Sequence, residues 1–412
     1  MSFPSAFFAA LRRKFRPEGS PRKNRMVVYP SRVSGGSVVY QYRVSGGWAK
    51  CFRVEKSFRI AYPFNLERIP ESVRIVPFLS QVMPVAWVCD AEVRVPVLDR
   101  DFRDCLDAVE GGYRAMHPAV AFGGKLVAKR LETNAPAKGA AGRPLACFSG
   151  GVDALATALR HLAEKPVLAG IWGSDVSWGD KGAWAPVEAL IRTDAGKLSL
   201  ESLVLRSSFR DLLRMGELDR LVAASGDNWW HGFQHGLGIL GHLAPVAWKK
   251  GARTVYIASS FTAADTYTCA SDPAIDNHVR FCGAAAVHDG YEWHRQDKVR
   301  RIVEHARETG VSFPLHVCWE KNGGDNCCHC EKCWRTMLAL WVEGADPRDF
   351  GFAGFDGFGS LGADIARDAK NFRMLAPARY GAIRERLRSR FAEKDIPAEL
   401  QWLWNGDFAP PE

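Results

Sequence analysis

Cys147-Phe148-Ser149-Gly150-Gly151-Val152-Asp153-Ala154 is the stretch on which the fold turns. Leu145 to Phe148 is short and apolar, as a buried parallel strand is, and Leu155 to Ala163 has the composition of a helix. Between them two glycines allow backbone N–H groups to turn toward an anion at the N-terminus of the following helix, and Ser149 adds a donor. The reading is a phosphate-binding turn. It is not of the Walker kind, because no Gly-Lys-Ser/Thr closes the loop.

Downstream, Val167 to Trp172, Ser202 to Arg206 and Thr254 to Ala258 are further short apolar runs separated by helical segments, which predicts a parallel, doubly wound α/β sheet. Such a sheet binds ligand beyond the carboxyl ends of its strands, where strand order reverses. The Ser149 loop, Gly173-Ser174-Asp175 and Ser259-Ser260 fall at those ends and are expected to converge. Trp229 to His242 predicts a glycine-rich helix on which His231, His235 and His242 share a face at about 100° per residue. Its glycines suit close packing against a nucleotide or a neighbouring backbone better than they suit a second metal. Phe261 to Val279, with Tyr267, Cys269, Asp272 and Asp276, is long and polar, either a substrate lid or an unstructured excursion. His294-Arg295-Gln296-Asp297-Lys298 then opens a helix.

Cys318, Cys327, Cys330 and Cys333 follow a C-x8-C-x2-C-x2-C spacing. Four thiolates complete a tetrahedral Zn²⁺ shell, and Asn322 to Asn326 supplies the turn that brings the first ligand back to the other three. Cys328, adjacent to Cys327, is left outside the tetrad. A closed four-cysteine site is structural.

On these residues the chain resembles the PP-loop ATP pyrophosphatases, whose Ser-Gly-Gly-x-Asp-Ser signature serves cleavage of ATP between the α and β phosphates with adenylation of a substrate. Ala154 stands where that signature has its last Ser. The cysteine spacing with Arg335 resembles the C-terminal zinc motif of the 7-cyano-7-deazaguanine synthases, PP-loop enzymes that convert 7-carboxy-7-deazaguanine to the nitrile with ammonia and ATP. The resemblance spans about residues 143–340. It implies a HUP-type fold, like the adenine nucleotide alpha hydrolases, and a carbon–nitrogen ligase that forms AMP and pyrophosphate. Ser149, Gly150, Gly151, Val152, Asp153 and Ser259 would hold ATP with Mg²⁺, and Asp153, Lys298 and Arg335 would act on it. The acceptor is expected to be a small molecule or modified base with ammonia or an amine, or a protein or nucleic acid. The synthases carry an Arg-Asn pair near the start of the glycine-rich helix where Gln234-His235 stands here, which implies a changed substrate. Two other readings stay open: an RNA-modifying PP-loop enzyme of the thiolase or lysidine type, and a zinc-knuckle module that binds nucleic acid or a partner.

The rest of the chain bounds these readings. Its 412 residues, 47% apolar, suffice for two or three packed units. Eleven cysteines without a secretory pattern fit the cytoplasm, and no run reaches transmembrane length. The formal charge of +9 is modest, with much of it in Arg12 to Arg25, a solvated tail or an arm for RNA or an acidic partner. The expected organisation is a basic arm (1–25), a β-rich α+β region (26–133) ending in a helix near Asp101 to Tyr113, a linker (134–144), the ATP-binding unit with its zinc site (145–343) and a helical cap (344–412). A homodimer is the expected assembly.

Overall fold

The computed structural model describes residues 23–265, 267–321 and 325–406, with the backbone alone for 370–378. Nearly all of the basic arm and the turn residues Asn322, Gly323 and Gly324 lie outside the described residues.

Five parallel strands make the centre: β8 (Leu145–Cys147), β9 (Val167–Trp172), β10 (Ser202–Ser207), β11 (Thr254–Ala258) and β13 (Ala284–Asp289). They are short and buried because helices cover both faces. Side chains alternate between two cores: Leu145 and Val255 pack into one, Ala146 and Tyr256 into the other. The order β13-β11-β8-β9-β10 means that the chain winds outward from β8 through β9 and β10, then returns to build β11 and β13 on the opposite side. The reversal falls between β8 and β11, so the crevice beyond their carboxyl ends is the natural ligand site of the sheet.

The leading strands extend this sheet. β1 (Arg25–Ser34), β2 (Ser37–Ser45) and β3 (Arg59–Ala61) pair antiparallel in sequence, and β3 pairs antiparallel with β10 through Ile60–Ser207 and Ala61–Arg206. With β4 (Glu92–Val95), β6 (Lys125–Ala128) and β12 (Arg280–Phe281), the described residues form one mixed sheet of eleven strands. An unforeseen helix, Val76–Val88, packs against β4 and β6; all thirteen of its residues are buried.

The glycine-rich segment packs on that helix. Gln81 Nε2 donates to the Gly238 carbonyl at 2.8 Å, and a Cβ at Gly241 would stand 2.2 Å from Ser80 Oγ. Its glycines admit a neighbouring helix. Trp230–Gln234 is a π turn that leads into the α-helix His235–Gly241, so the 100° periodicity fails and His242 parts from His231 and His235. His242 is buried between Ser207 Oγ at 2.7 Å and the Gly238 carbonyl at 2.6 Å, with its pKa pushed down to about 4 by burial.

Among the described residues no helix is long and apolar enough to cross a membrane.

Candidate active site

The turn after β8 begins as Phe148 N–H donates to the Ala169 carbonyl of β9, at 2.9 Å. Gly150 then takes φ 77°, in the left-handed region, and a Cβ there would meet Leu190 Cδ2 at 2.5 Å. Gly151 is the N-cap of the helix Val152–Arg160 with no side chain capping it, so its first-turn N–H groups remain for an anion. Ser149, Gly151 and Asp153 line a cavity of about 550 Å³ together with Ser174 and Asp175 beyond β9 and Ser260 beyond β11. The predicted strand ends therefore meet.

Several expected site residues take different parts. The Gly150 carbonyl accepts from His316 N–H at 2.9 Å, and Gly150 itself does not line the cavity. The Val152 side chain is buried in the core beneath the helix, which leaves only its backbone to the site. Ser259 is fully buried with its hydroxyl on the Phe261 carbonyl at 2.5 Å, and Ser260 faces the cavity in its place.

Lys298 is 2% exposed and stands behind the wall. It sits on the helix Arg295–Thr309, which packs against Val152–Arg160, and its ammonium lies 3.1 Å from Asp153 Oδ1 and donates to the Ser259 carbonyl. It braces the two loops at the switch point and does not touch the cavity. Arg295 Nη1 holds the other oxygen of Asp153 at 3.2 Å. Burial works against the Asp153 charge, but Lys298 and then Arg295 outweigh it and hold the carboxyl well below the usual range.

Positive charge accumulates beside this pair. Lys332, Arg335 and Arg379 join Arg295 in the wall of an adjoining cavity of about 220 Å³. Glu331 is their buried counter-charge, 3.5 Å from Arg335 Nε and 3.0 Å from Arg379 Nη1. With Lys298, five cations face two carboxylates. Burial lowers the Arg295 guanidinium to about 10 and, with the charges of Arg295 and Arg335, lowers the Lys332 ammonium. Such a cluster favours a polyanion. Arg335 lines the smaller cavity and not the larger one. Lys332 and Arg379 were not foreseen. The former hides inside the cysteine motif, and the latter comes from the C-terminal helix Ala369–Arg390, in the region expected to be a helical cap.

The four sulfurs of Cys318, Cys327, Cys330 and Cys333 all lie within 4.8 Å of one another, with Cys318–Cys330 at 4.0 Å and Cys327–Cys333 at 3.9 Å. Zn–S bonds of about 2.3 Å in a tetrahedron put sulfurs about 3.8 Å apart, so the donor set and its spacing fit Zn²⁺. Asn326 ties the first ligand in place: Oδ1 accepts from Val317 and Cys318 N–H, both at 3.1 Å. Cys328, at φ 61°, turns its thiol toward Gly354 and away from the tetrad. Cys330 is the N-cap of the helix Glu331–Val342, so the cluster fixes the first turn that carries Lys332 and Arg335 into the cavity.

His231 and His235 flank Cys269 in the smaller cavity. Cys147, half-buried in β8, has its thiol pushed up to about 12 by burial.

No protein-family model and no curated protein matches this chain.

Proposed function

We propose that this chain is an ATP-dependent, AMP-forming ligase of the PP-loop class, with a HUP-type nucleotide-binding unit. The observation that carries the reading is the uncapped Ser149–Asp153 turn at the reversal of strand order, opening on a cavity with an excess of fixed positive charge. The N–H groups at Gly151 and beyond, with the Ser149 hydroxyl, would take the β and γ phosphates. Arg295 and Lys332 line the same space and would neutralise charge that develops on the leaving pyrophosphate. A carboxylate or amide oxygen of the acceptor attacks the α phosphorus, the α–β bridge breaks, and pyrophosphate leaves an adenylate. An amine or ammonia then displaces AMP. The protein's share in these steps is positioning and charge stabilisation.

Asp153, expected to order the loop or the metal shell, has both oxygens engaged by Lys298 and Arg295. The residues therefore do not form a ready Mg²⁺ site, and Mg²⁺ would enter on the triphosphate, which together with water supplies its ligands.

Product analysis tests the class. With ATP, ammonia and candidate carboxylic acids, 7-carboxy-7-deazaguanine first, the expected nucleotide product is AMP. ADP as the main product rejects the proposal. The buried Gln234, whose amide donates to Gln81 Oε1 at 2.8 Å, belongs to the helix contact and not to the pocket, while His235 lines both cavities. The expected change of substrate would thus act through His235.

A further inference from the structure

Cys269 is 4% exposed and lines the smaller cavity, which shares Asp153, Trp230, His235, Ser260, Arg295 and Lys332 with the larger one. Its Sγ lies 3.7 Å from His235 Nδ1, and His231 lines the same cavity. Behind His231, Asp227 Oδ2 stands 3.0 Å from its Nδ1, and Thr268 Oγ1 donates to the same oxygen at 2.9 Å. A thiol in contact with one imidazole, with a second carboxylate-backed imidazole lining the same cavity, is an arrangement that activates a nucleophile. Burial alone would raise the thiol, but hydrogen bonds and charge from His231 and His235 bring it down to about 6. The Asp227 hydrogen bond, then that of Cys269, lifts His231 to about 10.

Arg295, Lys332, Arg335 and Arg379 line this cavity beside Asp153 and Asp265, an excess of positive charge that suits an anionic ligand.

We propose that Cys269 is a nucleophile that receives an acyl group from an activated carboxylate as a thioester, which an amine then cleaves. The proposal rests on the adenylate-forming reading for the source of the acyl group. The thiolate attacks the adenylate's acyl carbon, the C–S bond forms, the C–O bond to phosphate breaks, and AMP leaves with the electron pair. With the thiolate charge consumed, His235 gives its proton to solvent. The amine next attacks the thioester, a C–N bond forms, the C–S bond breaks, and His235 takes the proton the amine must lose. The thiolate is thereby restored. Arg335 and Arg379 would hold the anionic part of the acyl donor.

The test uses p-nitrophenyl acetate with the full chain, so it needs neither ATP nor the true acceptor. The expected result is a burst of p-nitrophenolate approaching one per chain, an acetyl group located on Cys269 by peptide mass spectrometry, and its release by hydroxylamine. Cys269→Ala should lose the burst by at least tenfold, and mapping of the unsubstituted protein keeps the test decisive should that variant fold poorly. Acetylation at other cysteines only, or no burst at all, overturns the proposal. A burst at Cys269 with ADP as the ATP product would keep the nucleophile while removing the adenylate as its acyl donor.

Discussion

Replacing Lys298 by Met removes a buried charge and keeps the side chain's length and apolar stem. Two bonds disappear, the 3.1 Å ion pair to Asp153 and the donor to the Ser259 carbonyl. Removing one partner of a buried ion pair costs about 3–5 kcal/mol, and roughly half of that is expected here because Arg295 stays at 3.2 Å and the Asp153 side chain is 20% exposed. An orphaned carbonyl adds about 1 kcal/mol, for a total near 3 kcal/mol at pH 7. The sign of the pH dependence follows from Asp153. Its folded pKa lies below the unfolded value of about 3.9, so the carboxylate contributes stability above that pH and loses it as pH falls toward the folded pKa. In the variant the folded pKa rises, the neutral acid carries no unpaired charge, and the deficit shrinks in acid. Urea midpoints at pH 7 and pH 2 measure this. A double-mutant cycle with Asp153→Asn should return a coupling of about 2 kcal/mol, since the second change removes the stranded charge. Additive effects of the two substitutions, or a deficit equal at both pH values, would refute Lys298 as the brace of the turn.

Cys330→Ser should reduce zinc from about one per chain to well below half by metal analysis, and lower the unfolding midpoint with it, because ligand loss removes folding free energy. Gly150→Ala combines φ 77° with a contact of 2.5 Å to Leu190 Cδ2, and should cost about 1–3 kcal/mol in denaturant titration and weaken ATP binding at the same time. His242 has a folded pKa of about 4, below its unfolded value of about 6.5, so the unfolded chain binds the extra proton and stability falls as pH drops through that window; His242→Gln should flatten this part of the stability profile.

The central strands were legible because burial on both faces leaves short apolar runs such as Thr254–Ala258, bounded by turn formers. The turn at Ser149–Asp153 and the cysteine cluster carry their geometry in their spacing. The helix Val76–Val88 was not legible, since burial all round erases the amphipathic period, while Pro77 and Pro84 look like breakers. The cation cluster escaped for another reason. Arg295, Lys332 and Arg379 belong to three helices that meet only in the fold, and no local pattern distinguishes them from solvated arginines and lysines. Ser259 and Lys298 fell at the right place in the chain but in the layer behind the cavity, a distinction of side-chain direction that position alone does not make.

The pairing of β3 with β10 bears on how this protein could be dissected. A fragment beginning at residue 134 would bare the rim of β10 along Arg206 and Ser207 and strip Gln81 from the Gly238 carbonyl. Unsatisfied strand rims recruit other chains. Such a fragment would hold every group assigned to the nucleotide and the thiolate, yet it should self-associate. The leading residues thus shield that rim, and trimming the chain to its later residues should yield aggregates in place of a smaller folded protein.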